Sequence, residues 1–340
     1  MKNLKVAIIG AGFIGKKRAD SIKELGQDKI VGVYDIDPAR CSALAEYCKV
    51  PTFNNLKDLL NIDGLDAVII ATFPKAAVGL VKLALKHKKH VLVEKPLGYN
   101  SKDAKEVARL VKSSGKLLKV GFNHRYHPAV SLAHKLFKEG EIGKIMHIRA
   151  VYGHGARPGY DLEWRMQKKF SRGGELFDQG VHVIDMAHWF LGDFSKAQAI
   201  LQNSFWKKSP FEDNAFCLLQ TAKGQTAQFH VSITEWKNKF VFEIFGEKGY
   251  LFINGLGRSY GAETLTLGQE EKLGRPYKEK QWVFPPEDIS WKKEWEDFRA
   301  MSLGKKSFEV AAKENIAVMK SLDALYKSGQ QHKIITIPNN

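Results

Sequence analysis

The fold of this 340-residue chain is decided by the stretch VAIIGAGFIG at residues 6–15. Four apolar residues lead into a turn of the form GxGxxG, and residues 14–25 after it have a helical pattern. In such a unit the first glycine permits the tight turn, the second lets a pyrophosphate approach the backbone, and the third lets helix and strand pack closely. Free N–H groups at the helix start then hold the phosphates. The stretch predicts a dinucleotide-binding unit, with a plain strand-to-helix turn as the alternative.

Outward from this turn, the first 121 residues alternate between strands and helices. Further apolar runs lie at 30–34, 67–71, 90–93 and 117–120, and helices are predicted after Asp37-Pro38, at 76–88 and at 101–114. The runs are continuous rather than alternating, which indicates strands covered on both faces, as in a parallel sheet between helical layers. We therefore predict an N-terminal, doubly wound Rossmann domain over residues 1–122.

The pattern changes after Gly121. Helices are predicted at 128–138, 175–191, 290–302 and 308–328, and strands at 145–152, 197–203, 215–221, 226–234, 240–245 and 250–253. The turn residues Lys223-Gly224 and Lys248-Gly249 indicate hairpins, so this sheet should be mostly antiparallel. Residues 123–340 are therefore predicted to form an α+β domain with a large open sheet.

Composition limits the class of protein. The chain is 44% hydrophobic and 26% charged, as in ordinary globular proteins, and three cysteines form neither a disulfide framework nor a CxxC motif. No segment approaches the roughly 20 apolar residues of a membrane span. A net charge of +16 raises a nucleic-acid hypothesis, but no recognition motif accompanies it, and a solvated basic surface is the preferred interpretation. We expect a cytoplasmic protein with neither a nucleic-acid nor a membrane partner.

The identity of the cofactor depends on Asp35, which ends the second predicted strand 20 residues after Gly15. A carboxylate there accepts hydrogen bonds from the adenine-ribose hydroxyls and repels a 2′-phosphate, which favours NAD over NADP. The alternatives are that Asp35 only caps the next helix, and that Arg40 reaches a 2′-phosphate. The predicted cofactor-binding residues are Gly10, Gly12, Phe13, Ile14, Gly15, Asp35, Ile36, Thr72, Phe73, Pro74, Glu94 and Lys95.

The sequence Glu94-Lys95-Pro96 follows a predicted parallel strand, at the edge where open α/β sheets bind ligands. A lysine at this edge can contact a reacting hydroxyl and stabilise a developing alkoxide. A surface lysine in a turn is the alternative.

A second motif, GGELFDQGVHVID, spans residues 173–185. In a helix, Asp178, His182 and Asp185 stand at i, i+4 and i+7 on one face. Three ionisable groups on an otherwise apolar helix are costly to bury unless they are bonded. A catalytic group, a buried hydrogen-bond network and a metal site all satisfy this condition; because no further ligand cluster is evident, we predict no metal.

Together these features resemble the Gfo/Idh/MocA family of sugar and inositol dehydrogenases over essentially the whole chain. The resemblance is carried by residues 10–15, 94–96, 121–126, 173–185 and 290–298, in this order and spacing. It implies a nicotinamide-dependent dehydrogenase whose second domain has an open-faced sheet, often used to form oligomers. A homodimer or homotetramer is therefore expected.

The resemblance also places catalysis on Lys95, Asp178 and His182. Hydride loss from carbon must be matched by loss of the hydroxyl proton, and a histidine is a suitable base near neutral pH. Lys95 would orient the hydroxyl, and Asp178 would position the substrate or His182. Asn123 and Arg125 are expected to border the pocket, whereas Asp185 is expected to be a structural partner.

The substrate is less well defined by the sequence. Trp164 can stack on a sugar face, Arg165 can meet a phosphate, and Tyr260 belongs to a glycine-bearing loop that can reach the pocket. We predict a dehydrogenase that transfers hydride between a secondary alcohol of a sugar or cyclitol and nicotinamide. The alternatives are a nucleotide-sugar dehydrogenase or ketoreductase of the same family, and a non-catalytic NAD-binding regulatory protein.

Overall fold

The computed structural model of the protein describes residues 2–269, 278–305 and 311–338. The strands in this part of the chain are β1 Lys5–Ile9, β2 Lys29–Tyr34, β3 Ala67–Ile70, β4 His90–Glu94, β5 Leu118–Gly121, β6 Ile145–Gly153, β7 Phe194–Gln202, β8 Asn214–Thr221, β9 Thr226–Ser232, β10 Lys239–Gly246, β11 Gly249–Asn254, β12 Thr264–Gln269, β13 Lys278–Val283 and β14 Ile335–Thr336. The α-helices are α1 Phe13–Leu25, α2 Pro38–Cys48, α3 Leu56–Leu60, α4 Pro74–Lys86, α5 Ser101–Ser114, α6 Pro128–Lys138, α7 Val181–Leu191, α8 Ser290–Ser302 and α9 Ala311–Gln331.

The first compact unit comprises Met1–Asn123 and Trp291–Ile316. Its sheet has the order β2-β1-β3-β4-β5, and each neighbouring pair of strands is parallel. All four residues of β3 are buried, since helices cover both faces of the sheet. The predicted doubly wound Rossmann sheet is confirmed.

Helix α8 was predicted within the second domain, but almost all of it belongs to the first unit. Trp295 and Phe298 are fully buried in the hydrophobic core that contains Leu4 and Val6. The indole N–H of Trp295 donates to the Asp28 carboxylate at 3.0 Å. The structure therefore differs from the predicted division into residues 1–122 and 123–340, because the chain returns to the first unit after leaving it.

The second compact unit comprises His124–Ser290 and Ala317–Asn340. Its nine-stranded sheet has the order β13-β12-β11-β10-β6-β9-β8-β7-β14. The β6–β9 pair is parallel and the other neighbours are antiparallel, so the predicted open, mostly antiparallel sheet is confirmed. The expected turns at Lys223-Gly224 and Lys248-Gly249 join β8 to β9 and β10 to β11.

Several elements differ from the sequence-based expectation. Strands β12, β13 and β14 and the short helix α3 were not predicted. The expected helix at 175–191 begins instead with a π-turn, Leu176–Gly180, before α7 starts. Helix α9 extends past its predicted end to Gln331, and residues 308–310 of its predicted start lie outside the described residues.

Candidate active site

The glycine turn after β1 forms a cradle in which each glycine has a different surrounding. Gly10 has φ of +101°, and a Cβ there would lie 2.3 Å from the carbonyl oxygen of Ala71. A Cβ on Gly15 would lie 1.9 Å from the carbonyl oxygen of Gly10. A Cβ on Gly12 would have no atom of the described chain within 4 Å. Gly12 therefore faces open space at the N-terminus of α1, where the phosphates of a dinucleotide are bound in this motif.

The Asp35 carboxylate is fixed beside this turn. It accepts hydrogen bonds from the backbone N–H groups of Ala11, at 2.6 Å, and Asp37, at 2.8 Å. Asp37, not Asp35, caps α2 by accepting from the N–H groups of Ala39 and Arg40. Arg40 is also ion-paired with the Asp37 side chain at 3.0 Å. The geometry thus disfavours the alternative in which Asp35 is only a helix cap.

Other predicted cofactor residues lie at the same edge of the parallel sheet. Phe13 and Ile36, which follow β1 and β2 closely, are 75% and 79% exposed. Thr72 follows β3, and its Cγ2 atom would lie 3.1 Å from a Cβ on Gly10. Phe73 and Pro74 form the start of α4. Two exposed apolar side chains beside an open phosphate cradle fit the flat rings of a dinucleotide, so the residues present suit NAD.

Glu94 is the last residue of β4 and Lys95 follows it, and a buried ion triad holds this end of the strand in place. Arg18 of α1 donates to the Glu94 carboxylate at 2.7 Å and to the Glu294 carboxylate at 2.6 Å. Arg18 is 1% exposed and Glu294 is fully buried. Burial lowers the pKa of Arg18, but the two carboxylates outweigh this effect and raise it, so the guanidinium stays charged. Glu94 therefore anchors the backbone that presents Lys95; its predicted contact with the cofactor stays a prediction.

In the second unit, His182 lies on α7 with 3% of its surface exposed. Its ring stacks on that of His124, with 3.8 Å between centroids and 23° between planes. The Nε2 atom of His124 lies 3.2 Å from the hydroxyl oxygen of Tyr152. Tyr260, a predicted substrate residue, lies beside Tyr152 with 5.5 Å between ring centroids. His124 and Tyr152 were not among the predicted site residues, although His124 stands in the 121–126 segment that the sequence singled out.

The two carboxylates that share the 173–185 motif with His182 each contact an arginine. Asp178, in the π-turn, accepts from Nη1 of Arg165 at 2.9 Å. Asp185, fully buried, accepts two hydrogen bonds from Arg125, at 2.8 and 2.6 Å. Among the described residues no group of three or more His, Cys, Asp or Glu side chains is arranged to hold a metal ion. Asp185 and Arg125 form a structural ion pair, which was the role expected of Asp185.

A close contact fixes the start of the π-turn. The Glu212 carboxylate accepts from the N–H groups of Gly174, at 2.9 Å, and Leu176, at 3.2 Å. A Cβ on Gly174 would lie 1.9 Å from the carbonyl oxygen of Glu212. Gly174 is therefore needed for this close approach, which fixes the start of the motif that carries Asp178 and His182.

Buried phenols and carboxylates surround Asp178. Burial raises the pKa values of Tyr152, Tyr160 and Tyr260, and the negative charges of Glu175 and Asp178 raise them further. These hydroxyls therefore remain neutral hydrogen-bond donors. Trp164 and Arg165 lie together in a short 3-10 turn, Trp164–Met166, near Tyr160. Asn123, the last residue of the first unit's N-terminal part, is 5% exposed and starts another such turn.

Two sets of features thus define the class of protein: a dinucleotide cradle in one unit, and a buried histidine with an ion-paired aspartate in the other. The chain belongs to the GFO/IDH/MocA oxidoreductases. Residues 4–122 match the family's NAD-binding Rossmann domain and residues 130–252 match its C-terminal domain. The first unit is therefore an NAD-binding domain and the chain is an oxidoreductase.

The chain is similar to several sugar and cyclitol dehydrogenases. It is 27% identical over 339 residues to levoglucosan dehydrogenase of Pseudarthrobacter phenanthrenivorans, covering 86% of each protein. It is 26% identical over 261 residues to a scyllo-inositol 2-dehydrogenase of Bacillus subtilis, covering 74% of each. Its fold matches the structure of levoglucosan dehydrogenase in complex with NADH with a TM-score of 0.90 over 100% of both chains, at 23% identity.

Across the described residues, the helices are too short or too polar to span a lipid bilayer.

Proposed function

We propose that this protein is an NAD-dependent dehydrogenase that oxidises a secondary hydroxyl of a neutral sugar or cyclitol. The observation that carries the proposal is His182, an imidazole 3% exposed on an apolar helix, in the same motif as the ion-paired Asp178. Burying such groups is unfavourable unless hydrogen bonds or ion pairs compensate, and ionisable groups held in this way cluster at functional sites. The similarity to levoglucosan and inositol dehydrogenases supports a polyol substrate.

In the proposed reaction each residue has a separate role. NAD, when bound, supplies a nicotinamide ring that accepts hydride from the alcohol carbon. His182 takes the hydroxyl proton as general base, a role suited to an imidazole near neutral pH. The ammonium group of Lys95 orients the hydroxyl and offsets the developing negative charge. Asp178 positions the substrate or His182.

NAD rather than NADP is the proposed cofactor. Both oxygens of Asp35 accept backbone hydrogen bonds beside the glycine turn, which holds its negative charge where a 2′-phosphate would be repelled. Arg40, the residue that could attract that phosphate, is paired with Asp37. We expect NAD to bind more tightly than NADP, and tighter binding of NADP in a fluorescence titration would overturn the assignment.

A neutral substrate is favoured over a phosphorylated or nucleotide-linked one by local charge balance. Arg157 pairs with Glu163 at 2.6 Å, Glu163 also approaches Arg165 at 3.5 Å, and Arg165 pairs with Asp178. The two guanidinium groups are thus matched by two carboxylates. Trp164 remains the proposed stacking surface for a sugar ring, with Tyr260 and Asn123 as further substrate contacts.

The experiment that tests the function is a substrate panel followed by NADH absorbance at neutral pH. It contains free sugars, anhydrosugars, inositols, sugar phosphates and nucleotide sugars. We expect turnover with a neutral polyol. Turnover confined to nucleotide sugars would support the alternative within the same family, and no turnover with any member, while NAD still binds, would support a regulatory NAD-binding protein.

The catalytic assignments are tested with Lys95→Met and His182→Ala on the best substrate. Removal of a general acid–base group costs about 10²–10⁴-fold in rate. We expect losses of this size in kcat for both variants, with the NADH dissociation constant within about threefold of wild type for His182→Ala. Near-normal rates in either variant would reject the role given to that residue.

The proposal includes a homo-oligomer formed through the outer face of the nine-stranded sheet. Ile200, Phe216 and Leu218 are 60%, 43% and 41% exposed there. They line a shallow depression of about 550 Å³ on this face. Clustered exposed apolar side chains of this kind mark interaction surfaces in folded proteins.

A further inference from the structure

The Arg165 guanidinium lies between two carboxylates of the second unit. Its Nη1 atom is 2.9 Å from Asp178 Oδ2, and its Nε atom is 3.5 Å from Glu163 Oε2. The side chains of Arg165 and Asp178 are only 26% and 15% exposed. At such a partly buried pair, the attraction between the charges is screened less than at the surface.

Aromatic side chains fix the position of this guanidinium. Its central carbon lies 5.4 Å from the ring centroid of Tyr160 and 5.1 Å from that of Trp164. Tyr160 is 2% exposed and packs in a small hydrophobic cluster with Met166 and Trp206. The guanidinium is therefore held by two aromatic rings, of which that of Tyr160 belongs to a packed cluster, and by the carboxylate of the π-turn.

We propose that Arg165 is a positioning residue for the reaction, which keeps the Asp178 carboxylate ionised and in a single orientation within the π-turn. The inference rests on the proposed dehydrogenase function, in which Asp178 positions the substrate or His182. It replaces the sequence-based expectation that Arg165 binds a substrate phosphate, because the guanidinium already faces two carboxylates.

The charged and polar groups around Asp178 determine how strongly its ionised form is favoured. Glu175, 1% exposed, and Glu163 are acidic neighbours in the second unit, and both disfavour a further negative charge. The phenols of Tyr152, Tyr160 and Tyr260 are neutral donors, and burial lowers the pKa of His154, which keeps that imidazole neutral at pH 7. His182 lies four residues after Asp178 in the 173–185 motif. Without Arg165, the proton affinity of Asp178 should therefore rise.

The test compares Arg165→Met, Arg165→Lys and the wild-type enzyme. Arg172→Met is the matched control, since Arg172 is 23% exposed and pairs with Asp323 of α9 instead of Asp178. We expect Arg165→Met to lower kcat by about 10²-fold, the scale of a small misplacement of a reacting group, with little change in KM for a neutral substrate. Arg165→Lys keeps the charge and should recover part of this loss, whereas Arg172→Met should retain wild-type values.

A second measurement does not depend on turnover. Carboxyl-¹³C NMR of the full chain, labelled at aspartate and assigned with Asp178→Asn, follows the ionisation of Asp178 directly. We expect Asp178 to titrate at a higher pH in Arg165→Met than in wild type, and the acidic limb of the kcat–pH profile to move the same way.

The outcomes separate this inference from the proposed function. An unchanged Asp178 titration in Arg165→Met would overturn the inference, whether or not the enzyme turns over. An altered titration with no turnover of any substrate by wild-type enzyme would instead reject the dehydrogenase function. A defect seen only in KM, and only for anionic substrates, would show that Arg165 binds substrate directly. If Arg165→Met does not fold, as judged by its melting curve, the same titration in Arg165→Gln, which removes the charge but keeps a polar side chain, decides.

Discussion

The three glycines of the 10–15 turn differ in what surrounds the space where a side chain would lie. At Gly15 the space for a side chain is filled by the backbone of Gly10, whereas Gly12 faces open space. A glycine is therefore required for packing at position 15, whereas at position 12 we propose that it serves the approach of a ligand. Sequence predicted both roles, since the motif has known geometry.

These roles predict opposite phenotypes for two alanine substitutions. Gly15→Ala should lower the free energy of unfolding by about 1–3 kcal/mol, the usual cost of overpacking. Gly12→Ala should leave the melting temperature unchanged but weaken NADH binding by roughly tenfold or more, because the added methyl group occupies the phosphate approach. Gly79→Ala, on an exposed face of α4 with open space around it, is the control and should be neutral or slightly stabilising. Normal NADH affinity in Gly12→Ala would contradict the proposal that the phosphates of the cofactor approach the backbone at Gly12.

Residues that the sequence did not reveal are those defined by tertiary contact. His124 and Tyr152 have no motif spacing of their own; His124 stacks on His182 and contacts Tyr152 only in the folded chain. Likewise the pairing of Arg165 with Asp178 joins residues from separate segments, and neither residue type specifies the other in advance.

At the scale of elements, a buried ion triad links α1, β4 and α8. Arg18 supplies the cation and Glu94 and Glu294 the anions. Removing the guanidinium leaves a fully buried carboxylate without its cation, which costs about 3–5 kcal/mol in comparable cases. We expect Arg18→Met to lower the free energy of unfolding by this amount in urea titrations.

The control for this prediction is Lys16→Met on the same helix. Lys16 pairs with Asp20 at 3.1 Å, but their side chains are 53% and 31% exposed. Exposed pairs contribute less than about 1 kcal/mol, so the control should change stability little. Equal losses of unfolding free energy in the two variants would show that the triad stabilises the fold no more than an exposed ion pair does.

His90, the first residue of β4, is hydrogen-bonded to Leu117 just before β5, and we expect it to make the stability of the fold depend on pH. Burial lowers the pKa of His90 to about 4, and its Nδ1 atom accepts a hydrogen bond from the N–H of Leu117, which only the unprotonated ring can do. In the unfolded chain an ordinary histidine has a pKa near 6.5. Between pH 6.5 and about 4 the unfolded state therefore binds more protons, and stability falls as the pH is lowered.

The substitution His90→Asn isolates this contribution, because the amide oxygen can still accept from Leu117. We expect the loss of stability between pH 7 and pH 5 to be smaller in the variant than in wild type, measured by urea unfolding at both values. The same loss in both proteins would assign the pH dependence to other groups, such as His134 and His188, whose pKa values burial also lowers.

The elements themselves were largely predictable, and the exceptions have physical causes. Continuous apolar runs correctly predicted the parallel strands, and the bounds of α5, α6 and α8 are those predicted from the sequence. The π-turn was not predictable from periodicity, because the spacing of Asp178 and His182 fits a regular helix equally well. Strand β13 was missed because it is a charged, exposed edge strand without an apolar pattern.

At the scale of the whole molecule, each compact unit is built from two segments that are separate in the sequence. The amphipathic pattern of α8 shows that one face is buried, but it does not show which core receives that face. The contacts of Trp295 and Phe298 with the core, together with the ion pair of Glu294 with Arg18, assign α8 to the NAD-binding unit. A truncation at residue 122 would therefore remove two fully buried aromatic side chains from the Rossmann core, and the natural boundaries are those of the two compact units.

The outer face of the nine-stranded sheet carries the last prediction. Ile200 of β7 and Phe216 and Leu218 of β8 are exposed on this face, and a lone subunit would present these apolar side chains to water. Charges placed at Phe216 and Leu218 would be buried without partners in an interface, which is strongly unfavourable. We expect the double variant Phe216→Glu/Leu218→Glu to shift the molar mass measured by light scattering toward that of one 38.3 kDa chain, with the melting curve still cooperative.

Ile334→Glu is the control, since Ile334 is 59% exposed and lies outside the strands. It carries the same apolar-to-charged change and should leave the molar mass as in wild type. A wild-type protein that is already monomeric at micromolar concentration would contradict the predicted oligomer. An oligomer that survives the double variant would place the interface elsewhere, because burying two added carboxylates per subunit in an interface is unfavourable.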